Sequence, residues 1–237
     1  MKKLIIPILL VTVSACLAQE DHKSNEDFSI KSTSVKYDQK LDQYIFEIQV
    51  KGTAGKTTPT PKGQLDGAPV LGYVFPTSLK PQNVGFNETE GIVALALTSH
   101  PDFDDTPLWD ENQDAIYDND GIVWHPHWVV LVEDKRVPGG LSVKQFQKGD
   151  ASVVLPPTNP GMPMYMDSPG YPVITSNQSI LVTVPGYRVK DVDSFNYDAV
   201  AAYMTVNTSK SDMPMLGVYD VYSVASGDLS LPYSLKK

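Results

Sequence analysis

Residues 92–132 read IVALALTSHPDFDDTPLWDENQDAIYDNDGIVWHPHWVVLV. Two apolar runs, 92–98 and 122–132, bracket a segment crowded with carboxylates. The first run is continuous, short and rich in Val, Ile and Leu, which suits a buried strand better than a helix. The second carries aromatic and β-branched residues and predicts another strand. If both flank the acidic connection, the chain leaves one strand at His100 and returns in the next at His125, bringing His100, His125 and His127 to one end of a sheet. On a strand, residues two apart point to the same face, so His125 and His127 share a face. Pro126 between them removes a ladder hydrogen bond and predicts an edge or a bulge.

Outward from this stretch the same period recurs. Residues 28–37 and 43–51 read as a hairpin, with Tyr44, Phe46, Ile48 and Val50 alternating with more polar neighbours. Further strands are expected at 70–75, 152–155, 173–174, 179–184, 199–206 and 216–224, with a helical turn or two within 192–206. Nineteen prolines and sixteen glycines punctuate these short runs and leave helices little room. The expectation is an all-β chain, a two-sheet sandwich of jelly-roll or immunoglobulin-like type with long loops and little helix. Gly55-Lys56-Thr57 is not a phosphate-binding loop, because Val50 stands where its first glycine belongs and Pro59 and Pro61 forbid the helix that must follow.

The N-terminus reads as a targeting segment over residues 1–15. Lys2 and Lys3 precede an apolar run over 4–13 that is too short to span a bilayer. Val13-Ser14-Ala15-Cys16 resembles the lipobox of bacterial lipoproteins, and that resemblance implies lipid modification of Cys16 at the new N-terminus. Cys16 is the only cysteine, so the chain has no disulfide to make. Cleavage after Ala18, releasing a soluble protein, is the alternative. Residues 16–27 then form a polar tether and 28–237 a single domain, with the membrane reached only through the anchor. The expected location is the bacterial cell envelope. With Lys2 and Lys3 gone the formal charge moves from −9 to −11, which excludes nucleic acid as a partner and favours cations or neutral ligands.

Chemistry concentrates between His100 and Trp128, which hold three of the four histidines, all three tryptophans, eight carboxylates and no Lys or Arg. Carboxylates packed that closely repel one another and call for a counter-cation unless they point into water. Asp110, Asn112 and Asp114 match the first three side-chain ligand positions of an EF-hand calcium loop, and Asp118 falls on a later one. The match departs at Ala115, which replaces the turn glycine, and at Gly121, which leaves Asp120 one residue early. The expectation is a calcium-type loop on a β scaffold, with a solvated acidic loop as the alternative.

His100, His125 and His127 form the second constellation, three imidazoles for a transition metal such as zinc, copper or iron that leave a fourth position for water, with a carboxylate of Asp102, Asp104 or Asp105 as the alternative to the third imidazole. Against it stands a simpler account: Trp124 and Trp128 are core residues and the histidines only the polar face between them. A third group is Met162, Met164, Met166, Met213 and Met215, whose alternation is similar to copper-handling proteins of the periplasm. Loop packing by methionine explains the same pattern. The chain lacks the Gly-x-Ser-x-Gly elbow of a serine hydrolase, and Ser99 beside His100 makes no triad by adjacency alone. Together these features point to an exported, metal-binding envelope lipoprotein. A metal-dependent hydrolase or oxidase of a small envelope substrate, and a surface interaction module using an exposed tryptophan edge with only structural calcium, are the alternatives.

Overall fold

The computed structural model describes residues 22–60, 65–101 and 122–237. Among the described residues thirteen strands follow one another: β1 (Ile30–Asp38), β2 (Gln43–Val50), β3 (Pro69–Pro76), β4 (Ile92–Ser99), β5 (His125–Glu133), β6 (Leu141–Val143) and β7 (Met166–Asp167) in the first part of the chain. The second part adds β8 (Val173–Ser176), β9 (Ser179–Pro185), β10 (Asn196–Tyr197), β11 (Val200–Val206), β12 (Leu216–Val224) and β13 (Tyr233–Ser234). Three short 3-10 turns, Glu26–Phe28, Pro81–Val84 and Gly186–Val189, are the helical elements of the described residues.

β1 and β2 form the expected hairpin and pair onward with β9 and β8 in a four-stranded antiparallel sheet. The alternation of β2 is realised: Tyr44, Phe46, Ile48 and Val50 are buried while the residues between them are half-buried. The larger sheet runs β4-β3-β11-β12-β6-β5-β7, and because β4 also pairs with β5, six of its strands close into a barrel-like ring. The chain is thus all-β with two packed sheets, but the larger one is closed rather than open. Closure removes two sheet edges that an open sandwich would have to protect.

Strand parity divides the apolar residues into two cores. Leu95, Leu97, Trp128 and Val130 point out of the ring and pack, with Phe75 and Tyr73, against Phe46, Ile48, Ile180 and Val182 of the smaller sheet. Phe46 sits in the middle of this layer, edge-on to Phe75 at 5.3 Å and to Trp128 at 6.2 Å between ring centroids. The alternate residues Ala94, Ala96, Val129, Leu131, Val200, Ala202 and Met204 fill the ring from inside. Small side chains dominate there because a narrow ring has little volume per strand. Just before β4, Gly91 has φ of 136°, and a Cβ at that position would lie 2.5 Å from Val130 Cγ1 and 2.7 Å from the Leu131 carbonyl. Glycine is what lets β4 enter this close to β5.

Some expectations are corrected. Residues 152–155 make no strand: Asp150 Oδ1 accepts the Ser152 amide at 2.9 Å and Asn87 Oδ1 accepts the Val154 amide at 2.8 Å, so side chains supply the acceptors a neighbouring strand would offer. The helical turn expected within 192–206 does not form: the segment holds β10 and the expected strand β11, which is buried between β3 and β12. Pro126 sits at a local edge, as expected, although β5 as a whole has strands on both sides. It pairs with Leu97 on one side, and on the other side the partner strand β7 joins only at Trp128, so the missing amide faces an unpaired position. His22 and Lys23, expected in the tether, lie against the domain: the His22 ring is 5.5 Å from Phe28 and 5.9 Å from Tyr222, and Lys23 pairs with Asp220 at 3.2 Å.

Candidate metal centre

The register of β4 and β5 builds the site. Thr98 lies opposite His125 and Ala96 opposite His127, so both imidazoles share the inward face of the ring with Thr98. His100, two residues beyond Thr98, continues along that face past the end of β4. The three histidines meet at one mouth of the ring, each 2 or 3% exposed. Each can offer one ring nitrogen, and these atoms all lie within 4.8 Å of one another. Rings of His100 and His125 stand perpendicular at 4.6 Å, and those of His125 and His127 at 4.8 Å and 82°.

The outer nitrogens fix the orientation. His100 Nδ1 lies 2.9 Å from the Pro101 carbonyl and His125 Nδ1 lies 2.6 Å from the Val123 carbonyl. A carbonyl only accepts, so each Nδ1 carries the proton and, in a neutral ring, each Nε2 carries a lone pair. The two Nε2 atoms are 2.9 Å apart. Two lone pairs at that distance repel unless a cation lies between them, either a shared proton or a metal ion. His127 Nδ1 lies 2.9 Å from Ser168 Oγ, a hydroxyl that can donate or accept, so this contact orients the ring without fixing its tautomer. Backbone carbonyls and hydroxyls on the far nitrogen are the usual outer partners of metal-bound imidazoles. Tetrahedral coordination by nitrogen at the usual bond length separates ligand atoms by about 3.3 Å, so 2.9 Å needs only a small adjustment to accept an ion.

β7 supplies the support. Asp167 pairs with Trp128 in the register, which brings the next residue, Ser168, to His127. Asp167 is fully buried and faces away from the cluster, accepting from Thr158 Oγ1 at 2.6 Å and from Arg188 Nη2 at 3.2 Å. Burial raises its pKa above the ordinary carboxylate value, with the Thr158 hydrogen bond and the Arg188 charge opposing.

The tryptophan half of the simpler account holds, on the other face of the strand. Trp124 and Trp128 belong to the core between the sheets, and Trp124 Nε1 donates to the Gly55 carbonyl at 2.8 Å. Trp128 is fully buried, so it offers no exposed edge to a partner, and Trp109 lies outside the described residues. Ser99 Oγ donates to the Ile122 carbonyl at 2.7 Å and tethers the two ends of the acidic connection rather than forming a triad with His100. Asp110, Asn112, Asp114, Asp118 and Asp120, with Asp102, Asp104 and Asp105, lie outside the described residues, as does Cys16. Sequence reasoning missed Ser168, the Pro101 carbonyl and the Val123 carbonyl. Ser168 is 41 positions from His127, and no local pattern marks it.

The chain thus brings together a buried histidine cluster that can bind a metal ion. Compared with known proteins, it matches no family model, no curated protein and no solved structure.

Proposed function

We propose that this is an exported, lipid-anchored protein of the bacterial cell envelope that binds a transition metal ion through His100, His125 and His127. The observation that carries the reading is the pair of Nδ1-protonated imidazoles whose Nε2 atoms face each other at 2.9 Å inside a buried ring mouth. A buried arrangement of this kind is costly without a cation and is preorganised with one. Elemental analysis of untagged protein tests it. Stoichiometric zinc, copper or iron, lost in the His125→Ala, His127→Ala double variant with its far-ultraviolet circular dichroism intact, is the expected result; background metal in the unaltered protein would end the reading.

The acidic loop with Asp110, Asn112, Asp114, Asp118 and Asp120 is proposed to hold calcium beside the histidines, neutralising charge that the chain supplies with no basic residue between Pro81 and Asp134. Chelation then lowers the melting temperature, and Asp110→Ala with Asp114→Ala removes that sensitivity. Anchoring through Cys16 predicts that Cys16→Ser moves the protein from the membrane fraction to the soluble one.

One observation favours turnover as a second reading. An apolar cavity of about 70 Å³ runs inside the ring beside His127 and reaches the half-exposed Val221 and Leu229. Such a lining suits a small nonpolar co-substrate such as dioxygen better than the polar substrate of a hydrolase. Oxygen uptake by the metal-loaded protein with a reductant, abolished by His127→Ala, separates an oxidase from a binding protein.

A further inference from the structure

We infer that the metal is copper in its cuprous state, taken by the histidine cluster together with thioether sulfur from the Met162, Met164 and Met166 strip. The inference rests on the metal-binding reading above and adds the identity of the ion and a second kind of donor.

The placement of the methionines carries it. His100 and His127 line a small cavity of about 20 Å³ at the ring mouth, and three further residues of its wall are Met162, Met164 and Met166. These side chains come from the segment leading into β7, the strand that also delivers Ser168 to His127. Met164 and Met166 are 1% and 4% exposed, so their thioethers are withdrawn from water. Met166 is also in the wall of the larger cavity beside His127. One short segment therefore positions both the hydroxyl that orients His127 and the thioethers next to it.

The chemistry of that donor set selects among ions. Thioether sulfur is soft and binds Cu(I) well, while zinc sites draw on imidazole, thiolate and carboxylate. Imidazole serves either ion, so the sulfur decides. Val70, Thr98, Val206 and Leu216 complete the cavity wall, and among the described residues the Thr98 hydroxyl, whose Oγ1 lies 3.5 Å from His125 Nε2, is the one hard donor there beside the soft ones.

The full chain is titrated with Cu(I) under reducing anaerobic conditions against bicinchoninate, and separately with Zn(II) against a zinc chelator. Unaltered protein is compared with the Met164→Leu, Met166→Leu double variant, in which volume is nearly conserved and the fold is retained. The expected result is a Cu(I) affinity above that for Zn(II), lowered at least tenfold by the double variant while the Zn(II) affinity is unchanged. X-ray absorption of the copper-loaded protein then shows a sulfur scatterer that the variant lacks. A Zn(II) affinity equal to or above that for Cu(I), or Cu(I) binding indifferent to both methionines, overturns the inference and leaves metal binding standing. Failure of the unaltered protein to bind either ion overturns both.

Discussion

β4 and β5 present two faces built on the same backbone, and the faces differ in almost every physical respect. The outer face carries Leu95, Leu97, Trp128 and Val130, each 0% exposed and packed on the smaller sheet. The inner face carries Ala94, Ala96, Thr98, Val129 and the histidines, enclosed by the ring. Large side chains interdigitate across a flat interface between sheets, where the area removed from water is greatest. Inside a closed ring the room is small at the middle and opens at the mouth, where imidazoles fit. The strand therefore divides its work by parity: one face holds the sheets together and the other holds the site.

That division can be broken by substitution. Trp128→Ala removes the largest outer side chain and should cost about 3–5 kcal/mol in urea denaturation. A loss under about 1 kcal/mol would mean that the outer face is not what joins the sheets. Ala96→Leu probes the inner face in the opposite sense. Overfilling the ring opposite His127 should destabilise by about 1–3 kcal/mol and lower metal content together. If stability is unchanged, the ring has more interior space than its alanines imply.

Smaller effects sharpen the comparison. Ser168→Ala leaves stability within about 1 kcal/mol but should weaken metal binding about 10–100-fold, because His127 loses the partner that orients it. Equal affinity in that variant would show that β4 and β5 alone set the ring geometry. The smallest effect is at the far end of β5. There Asp134 accepts from Arg136 Nη2 at 2.7 Å and from Ser142 Oγ at 2.8 Å, and the Arg136 hydrogen bonds hold its carboxyl well below the ordinary carboxylate range against the effect of burial. A depressed folded value contributes stability above the unfolded carboxylate pKa of about 3.9, and loses it as pH falls through the folded value. Asp134→Asn should therefore cost at most about 1 kcal/mol near neutral pH, with the gap to the unaltered protein closing in strong acid. A gap that widens on acidification would reverse the assigned sign.

The pairing of β4 with both β3 and β5 explains why the sequence led to an open sandwich. Alternation along 44–50 and the apolar runs at 92–98 and 122–132 are local signals, and each became a strand. Which strand lies beside which is set by long-range pairing, and a short apolar run reads alike in an open sheet and a closed ring. Residues 152–155 misled for a related reason: the run has strand composition, but Asp150 and Asn87 satisfy its amides before another strand does. The methionines show the same limit, since alternation in 162–166 fits packing and metal binding equally until the cavity beside His127 is seen.

By itself the sequence determined that the chain is all-β and that His125 and His127 share a face. It also placed His100 at the same sheet end, because two-residue parity and a strand-loop-strand order are properties of the chain. Only the tertiary structure decided that this face looks into a closed ring. The same folding set two imidazole nitrogens against each other and brought a serine and three methionines from a distant segment beside them. Those relations depend on strand pairings whose energy is shared across the whole sheet, and no stretch of residues contains them.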